Sequence, residues 1–169
     1  MAKLDIVRLP DPILRQVSKP VAKVDAALRR LIDDMLATMY AAPGVGLAAV
    51  QVGHPIRVLV VDIDGDDEPS MPIAMINPEV VSLGAEMKLH EEGCLSIPDV
   101  RFEIGRPSSL VVRYVDRDGR QQELAADGLL ATAIQHEIDH LNGRMIIDYM
   151  SRLKRDIIIR RFKKQARGD

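Results

Sequence analysis

The stretch DGLLATAIQHEIDHLNG, residues 127–143, decides the fold because it predicts a helix with two histidines on one face. The aspartate at its start is a typical N-cap, and the glycine at its end suits the position after a helix's last turn. His136 and His140 are four residues apart, so a helix places their imidazoles side by side. With Glu137 they form the pattern H-E-x-x-H, typical of a metal site in which the glutamate acts as a base.

The surroundings of the two histidines favour a metal ion over the alternative that they are ordinary core residues. Apolar residues lie around almost the whole predicted helix: Leu129, Leu130, Ala133, Ile134, Ile138 and Leu141. Two imidazoles and a carboxylate buried there without a ligand would be costly, and each imidazole would still need an acceptor for its second N–H. Asp139 is a candidate for that acceptor or for a surface ion pair, and the pattern leaves both open.

A catalytic metal site usually has three protein ligands and one open position. No glutamate follows Glu137 and no histidine follows His140, so the downstream ligands of thermolysin-like enzymes and of metzincins are missing. The remaining candidates are Cys94, His90, His54 and several acids. Cys94 is the only cysteine and follows a glycine. A set of one thiolate and two imidazoles would suit Zn(II) or Fe(II) rather than Mg(II) or Ca(II).

Composition and patterning predict one α+β domain spanning residues 1–169. The chain has 47% hydrophobic residues, a net charge of −2 and one cysteine, so it can form no internal disulfide and is expected in a reducing, cytoplasmic compartment. It shows no secretory signal and no apolar run long enough for a membrane span. Helices are predicted over 25–40, 128–142 and 151–166, and they bracket strands over 57–63, 73–76, 79–83, 86–90, 109–115 and 120–126.

A glycine-rich loop precedes the first strand. Residues 44–49 match G-x-G-x-x-A, but a helix comes before them and Gly53 interrupts any helix after them, which argues against a dinucleotide site. A tight loop leading into an extended segment that lines a cleft fits better. Gln51 in that segment is either an edge residue facing water or an N–H donor to a developing oxyanion. The acidic run over residues 62–68 lacks EF-hand register and is predicted to be a solvated loop.

Three segments together resemble the signature motifs of the peptide deformylase family, in its bacterial type I form. They are GVGLAAVQ at residues 44–51, EGCLS at 92–96 and QHEIDH at 135–140. The resemblance implies an α+β fold in which antiparallel strands wrap around a central metal-bearing helix, with N-terminal and C-terminal helices. It implies hydrolysis that removes the formyl group from the N-terminal formylmethionine of newly synthesised proteins and releases formate. Fe(II) is the implied physiological ion, with Zn(II) or Ni(II) as substitutes.

The same resemblance assigns roles to individual residues. Cys94, His136 and His140 are implied metal ligands, Glu137 the general base that activates water, and Gln51 with the Leu95 N–H the oxyanion hole. Val45 and Gly46 are implied substrate contacts, Arg101 lies near the peptide, and Glu92 with Arg106 forms an ion pair near the site. An apolar pocket for the methionine side chain is expected, with Val45, Leu95, Thr132 and Ala133 as candidates.

The C-terminal segment differs in charge from the rest of the chain. Residues 151–169 carry a net charge of +6, whereas residues 1–150 carry −8. The segment is either a solvated helix docked through Leu153, Ile157 and Phe162, or a contact with the ribosome. No membrane and no sequence-specific nucleic acid is expected as a partner. Two alternative functions remain open: an H-E-x-x-H metalloendopeptidase and a non-catalytic metal-binding protein associated with the ribosome.

Overall fold

The computed structural model describes residues 2–64 and 70–168. These residues form three α-helices: α1 (Ala26–Ala41), α2 (Gly128–Leu141) and α3 (Arg152–Ala166). Seven strands accompany them: β1 (Gly46–Ala48), β2 (Val58–Val61), β3 (Ile73–Leu83), β4 (Met87–Cys94), β5 (Ile97–Pro107), β6 (Ser109–Val115) and β7 (Gln121–Asp127). Short 3-10 helices occupy Pro12–Arg15, Ala49–Val52 and Ile146–Tyr149. The three predicted helices are confirmed.

The strands form two antiparallel sheets. One has five strands in the order β1-β2-β3-β6-β7, and the other is the hairpin of β4 and β5. Strands of both sheets pack against α2, which therefore lies at the centre of the molecule. Helices α1 and α3 lie before and after all of the strands along the chain. The α+β class and the central position of this helix are confirmed.

Three strands differ from the sequence-based expectation. β4 continues to Cys94, beyond the predicted end at residue 90. β3 is continuous where two short strands were predicted, because the backbone passes through Asn77 at φ 51° and the register with β6 shifts there instead of ending. β5 was not predicted at all. Its residues pair with β4 from Met87↔Pro107 to Cys94↔Ile97, so its extended conformation depends on a partner strand.

The described residues form three apolar clusters, one of which includes residues of α2. One lies between α2 and the five-stranded sheet and includes Leu59, Met75 and Ile134. A second joins α1 to the sheet, and a third joins β5 to α3 and the N-terminal segment. α2 also buries polar side chains, namely Gln135, His136, Glu137 and His140. The expectation that this helix is buried on most sides is confirmed.

The helix ends follow local capping rules with one exception. The Asp25 carboxylate accepts the Leu28 N–H at 2.9 Å and begins α1. Asp127 is the residue before α2, but within the described chain its side chain makes no capping hydrogen bond. Gly143 after α2 has φ +75°, and an added Cβ would lie 2.5 Å from the Arg15 carbonyl oxygen. Glycine is required there by both conformation and space.

α3 docks through an apolar face that shares only Phe162 with the three residues predicted. Phe162 is buried as expected, but its buried partner is Ile158. Leu153 and Ile157 are 74% and 55% exposed, so they do not belong to the docking face. The prediction failed because Phe162 is four residues from Ile158 but five from Ile157, so the helix places Ile158 on the face of Phe162 that packs against β5 and the N-terminal segment.

The start of the acidic run is buried rather than solvated. Asp62 is 2% exposed, and its carboxylate accepts the Tyr40 hydroxyl and the backbone N–H groups of Asp64, Ser70 and Met71. These bonds keep the pKa of Asp62 below its usual value although burial opposes them. Residues 65–69 of the predicted loop lie outside the described residues. Among the helices that the structure describes, none combines the length and apolarity needed to cross a bilayer.

Candidate metal centre and active site

One thiol and two imidazoles converge between α2 and the β4–β5 hairpin. The ligand atoms of Cys94, His136 and His140 all lie within 4.8 Å of one another, and Cys94 Sγ is 3.3 Å from His140 Nε2. Helical spacing places the two histidine rings 5.0 Å apart. Cys94 reaches them because the β4–β5 register shifts between Gly93 and Cys94. This grouping decides among the candidate third ligands, since His54 and His90 are exposed and lie outside the cluster.

These residues fit a soft divalent metal ion. One sulfur and two imidazole nitrogens form a donor set suited to Zn(II) or Fe(II). His140 Nδ1 and Glu137 Oε1 are buried polar atoms without a hydrogen-bond partner among the described residues. His140 faces Cys94 through Nε2, so its Nδ1 lies on the other side of the ring from the cluster. The Glu137 oxygen lies beside the cluster, and because buried polar groups are normally satisfied, it fits a site built to hold a further group.

Glu92 orients the first imidazole. Its Oε1 lies 3.0 Å from His136 Nδ1, and because a carboxylate only accepts, the ring nitrogen must donate. Arg106 donates two hydrogen bonds to the same carboxylate, from Nε to Oε2 at 2.6 Å and from Nη2 to Oε1 at 3.0 Å. Burial alone would raise the pKa of Glu92, but its bonds to His136 and Arg106 lower it. The expected Glu92–Arg106 ion pair is present, and Glu92 rather than Asp139 is the acceptor for this ring.

Asp139 instead contacts Arg106 and a tyrosine. Its Oδ2 accepts Arg106 Nη1 at 2.9 Å and the Tyr149 hydroxyl at 2.6 Å. The Asp139 side chain is only 16% exposed, so this is a partly buried cluster and not a surface ion pair. Sequence reasoning missed Tyr149, which no local pattern connects with α2.

The Glu137 carboxylate lies beside the cluster. Its Oε2 is 3.9 Å from His136 Nε2, and it is almost fully buried. Burial raises the pKa of Glu137 to about 7, with Glu92 and Asp139 adding to the rise and with His136 and Arg106 opposing it. A pKa near neutrality suits a group that takes up and returns a proton.

The two imidazoles have opposite electrostatic surroundings. The pKa of His136 is raised: burial favours its neutral form, but the charges and bonds of Glu137, Cys94 and Glu92 outweigh burial. The pKa of His140 is lowered by burial and by the neighbouring His136. Metal binding requires the neutral form of both rings, and burial already favours that form at His140.

Gln51 lies inside the site. It is 1% exposed, so the interpretation as an edge residue facing water is wrong. Its Oε1 accepts the Ala48 N–H at 2.9 Å, which leaves the amide nitrogen directed at the Ser96 hydroxyl at 3.0 Å and at Cys94 Sγ at 3.7 Å. The sequence contained no signal for Ser96 beyond its place in the second motif.

The N-terminal segment forms backbone hydrogen bonds with both Gln51 and Ser96. The Val7 N–H donates to the Gln51 carbonyl at 2.7 Å, and the Leu9 N–H donates to the Ser96 carbonyl at 2.9 Å. The segments that carry Gln51 and Ser96 near Cys94 are therefore both held by the same N-terminal segment. The sequence did not predict this contact.

A cleft of about 740 Å³ opens over the cluster. It brings together all of the residues expected to contact substrate or its oxyanion: Val45, Gly46, Gln51, Leu95, Arg101, Thr132 and Ala133. Sequence reasoning missed several other lining residues: Ile6, Arg8, Pro98, Asp99, Val100 and Leu129. Arg101 also donates to Glu91 Oε1 at 2.7 Å, so part of its charge is already neutralised.

The glycine-rich loop serves close packing rather than phosphate binding. An added Cβ at Gly44 would lie 2.8 Å from Leu95 Cδ1, and one at Gly46 would lie 2.6 Å from Glu137 Oε2. The two glycines let the loop approach the turn after β4 and the base on α2. β1 begins at Gly46, which lines the cleft, so an extended segment is present as predicted. It is short, however, and Gln51 lies on the 3-10 helix that follows it.

Comparisons with known proteins agree with this site. A family model described as polypeptide deformylase matches residues 3–156. The peptide deformylase of Mesorhizobium japonicum is 58% identical over 162 residues, which cover 96% of this chain and 92% of that protein. The crystal structure of peptide deformylase from Ehrlichia chaffeensis has a TM-score of 0.91 at 42% identity and covers 99% of both chains. A structure of the enzyme from that organism in complex with actinonin has a TM-score of 0.91 at 44% identity over 98% of both chains.

The match is therefore one of sequence, fold and site together. The family model spans all three motifs, and the solved structures extend the similarity over nearly the entire length. A Cys–His–His group able to hold a metal lies beneath the cleft, as a metal-dependent enzyme requires. On these grounds the chain belongs to the peptide deformylase family, the hydrolases that remove the formyl group from N-terminal formylmethionine.

Proposed function

We propose that Cys94, His136 and His140 hold one divalent ion in this hydrolase and that Glu137 is its general base. The observation that carries the proposal is the convergence of the three ligand atoms within 4.8 Å beside a buried carboxylate. Fe(II) is the proposed physiological ion, with Zn(II) or Ni(II) as substitutes, because a thiolate and two imidazoles suit soft or borderline cations. Such an ion, when bound, lowers the pKa of water and polarises a carbonyl oxygen.

Glu137 moves the proton in this mechanism. Its carboxylate accepts a proton from the water that attacks the formyl carbon, and it later returns that proton to the leaving amine. Two features support this role: a pKa of about 7 and the short backbone approach of Gly46, which confines the carboxylate against the cleft. Formate and a free N-terminal amine are the products.

Gln51 and the Leu95 N–H stabilise the developing oxyanion. The Gln51 amide nitrogen carries two hydrogens, and Ser96 accepts one of them. The other is available on the side of Cys94, where the reacting carbonyl would lie. Because Ala48 fixes the amide oxygen, the donor is oriented before the reaction begins, which is what makes such a group effective.

The methionine side chain of the substrate enters an apolar part of the cleft. Val45, Leu95 and Ala133 supply apolar surface, and Thr132 lies on the same helix as Ala133. Gly46 offers backbone to the substrate beside Glu137, and Arg101 lies farther out at the exposed part of the cleft. The substrate class is therefore an extended peptide that begins with formylmethionine.

Hydrolysis of formyl-Met-Ala-Ser tests the proposal. We expect formate release from this peptide, no reaction with unformylated Met-Ala-Ser, and retention of metal but loss of nearly all turnover in Glu137→Ala. Near-normal turnover by that variant would remove Glu137 as the base. Cleavage of internal peptide bonds would instead support the metalloendopeptidase alternative, and metal binding without either reaction would support a non-catalytic role.

We further propose that residues 1–169 work as one catalytic domain in the cytoplasm and that α3 contacts the ribosome. The basic side chains Arg160, Lys163 and Lys164 of α3 are exposed, while Ile158 and Phe162 hold the helix on the domain. An exposed cationic helix is attracted to polyanions such as ribosomal RNA, and nascent chains are the substrates.

A further inference from the structure

A second group of polar side chains lies behind His136, away from the cleft. The Tyr149 hydroxyl donates to Asp139 Oδ2 at 2.6 Å and accepts from Arg106 Nη1 at 3.3 Å. Arg106 Nη1 also donates to Asp139 Oδ2 at 2.9 Å. The opposite edge of the guanidinium holds Glu92, which in turn holds His136. A continuous chain of hydrogen bonds therefore runs from Tyr149 to the imidazole.

We propose that Tyr149 is a positioning residue for the metal centre, acting through Asp139, Arg106 and Glu92 on His136. It lies in the 3-10 helix Ile146–Tyr149, which follows α2 and contacts β4 and β5. Tyr149 thus links the chain after the metal-bearing helix to the hairpin that supplies Cys94. This inference rests on the proposed assignment of His136 as a metal ligand.

The planar guanidinium of Arg106 explains how a contact at Tyr149 affects the orientation of Glu92. Arg106 is 6% exposed, and its planar fork presents one edge to Glu92 and the other to Asp139 and Tyr149. The Tyr149 ring also lies under the guanidinium, with the Arg106 carbon 4.9 Å from the ring centroid. Fixing one edge of a rigid planar group fixes the other. The Glu92 carboxylate is thereby held where it accepts the His136 Nδ1 hydrogen and keeps Nε2 facing the cluster.

The Tyr149→Phe variant isolates the hydroxyl because it retains the ring beneath Arg106. Asp139 loses a donor, Nη1 loses an acceptor, and the guanidinium gains freedom to turn. Partners that orient metal ligands typically contribute about 10–100-fold to metal affinity. We expect release of Zn(II) from the loaded variant to a chromophoric chelator to be about 10-fold faster than from the original protein, the low end of that range because Tyr149 acts at a distance.

Tyr40→Phe is the matched control. The Tyr40 hydroxyl also donates to a buried carboxylate, that of Asp62, but it has no link to the network behind His136. Its Zn(II) release rate should equal that of the original protein. A Tyr149→Phe rate within twofold of the original overturns the proposal, as does equal acceleration by Tyr40→Phe, because the effect would then be general destabilisation.

A second variant keeps the test decisive if Tyr149→Phe does not fold. Asp139→Asn retains an acceptor oxygen but removes the charge that holds Arg106, so it too should accelerate Zn(II) release. Unchanged release overturns the proposal. Titration of the original protein with Zn(II) separates this inference from the proposed function: failure to bind one equivalent contradicts the ligand assignment itself, whereas normal binding with unchanged variants contradicts only the role of Tyr149.

Discussion

Glu137 lies against the backbone of Gly46, with Oε2 only 2.6 Å from the point where a Cβ atom would stand. One motif thus leaves room for a carboxylate that another motif supplies, although 91 positions of sequence separate the two residues. The contact explains why this position of the loop requires glycine. Gly46 does not have a positive φ, so glycine is required there because of the limited space and not because of the backbone conformation.

Gly46→Ala is expected to displace the Glu137 carboxylate and to reduce turnover about 100-fold, because a misplacement of about 1 Å has an effect of that size. The folded state should persist, since the carboxylate is the end of a side chain that can rotate. Gly105→Ala is the control: its Cβ would meet only Leu89 Cδ2 at the ordinary distance of 3.5 Å. Comparable activity of both variants would show that Glu137 tolerates displacement.

Glu137 should make the metal-free protein less stable as the pH rises. Its pKa in the folded state is about 7, against 4.5 when unperturbed, so between these values the unfolded chain loses a proton that the folded chain keeps. The free energy of unfolding therefore falls across this window, by about 3 kcal/mol for this group. Glu137→Gln removes the effect, and the variant should gain stability relative to the original protein from pH 4.5 to pH 7.

Urea unfolding of chelator-treated protein at several pH values measures this difference. Because the other titrating groups are common to both proteins, the change in their stability difference with pH isolates Glu137. Parallel curves for the two proteins would show that the pKa of this carboxyl is not raised by burial.

Gln51→Met should reduce kcat about 100-fold with little change in KM, because loss of one oxyanion donor raises the barrier by about 3 kcal/mol. The side-chain volume is nearly kept, although the Ala48 N–H loses its acceptor. Ser96→Ala is the comparison, since it removes an acceptor of the Gln51 amide but leaves the amide itself. Steady-state kinetics with metal content measured in parallel gives the answer; equal effects from both variants would argue against direct oxyanion binding.

Cys94→Asp should change which ion the site retains. An oxygen ligand replaces the soft sulfur 3.3 Å from His140 Nε2, so affinity for Zn(II) and Fe(II) falls relative to harder cations. Elemental analysis of protein prepared without oxygen, followed by competition between Zn(II) and Mn(II), measures the change. Unchanged metal content and selectivity would remove Cys94 from the ligand set.

The ribosome contact predicts a specific salt dependence. Replacing Arg160, Lys163 and Lys164 with Gln removes three exposed cations and leaves the buried face of α3 intact. Co-sedimentation with ribosomes should weaken, and the slope of log affinity against log salt should fall by about 2–3. The same change at Lys3, Lys23 and Arg30, which are exposed elsewhere, should have little effect. Equal loss in both variants would indicate general electrostatic attraction.

The helix with the two histidines could be predicted because the determinants are local. Periodicity and the glycine after Asn142 act within a few residues, and α2 begins and ends close to where the pattern indicates, although Asp127 makes no capping hydrogen bond among the described residues. The hairpin turn between β6 and β7 is also local, with Asp116 accepting the N–H groups of Asp118 and Arg120. The resemblance of the three motifs to a known family then implied chemical roles for individual residues, which local periodicity and capping do not indicate.

The missed features have two different causes. β5 alternates charged and apolar residues over RFEI, a local strand pattern that was overlooked, and it pairs with the preceding strand β4 in a hairpin. The others depend on contacts between distant segments. The burial of Asp62 depends on Tyr40 of α1, and the role of Asp139 depends on Arg106 of β5. Neither Tyr40 nor Arg106 lies within a helical turn or a hairpin of the carboxylate it contacts.

By itself, the sequence determined the class of the fold, the helix that carries His136 and His140, and the family to which the three motifs belong. Only the tertiary structure decided that Cys94 completes the cluster, that Glu92 holds His136, and that Gln51 points inward. The physical reason is range: helical spacing and capping act over one or two turns, whereas a metal site and the satisfaction of buried charge require the packing of a hairpin, a loop and a helix against one another.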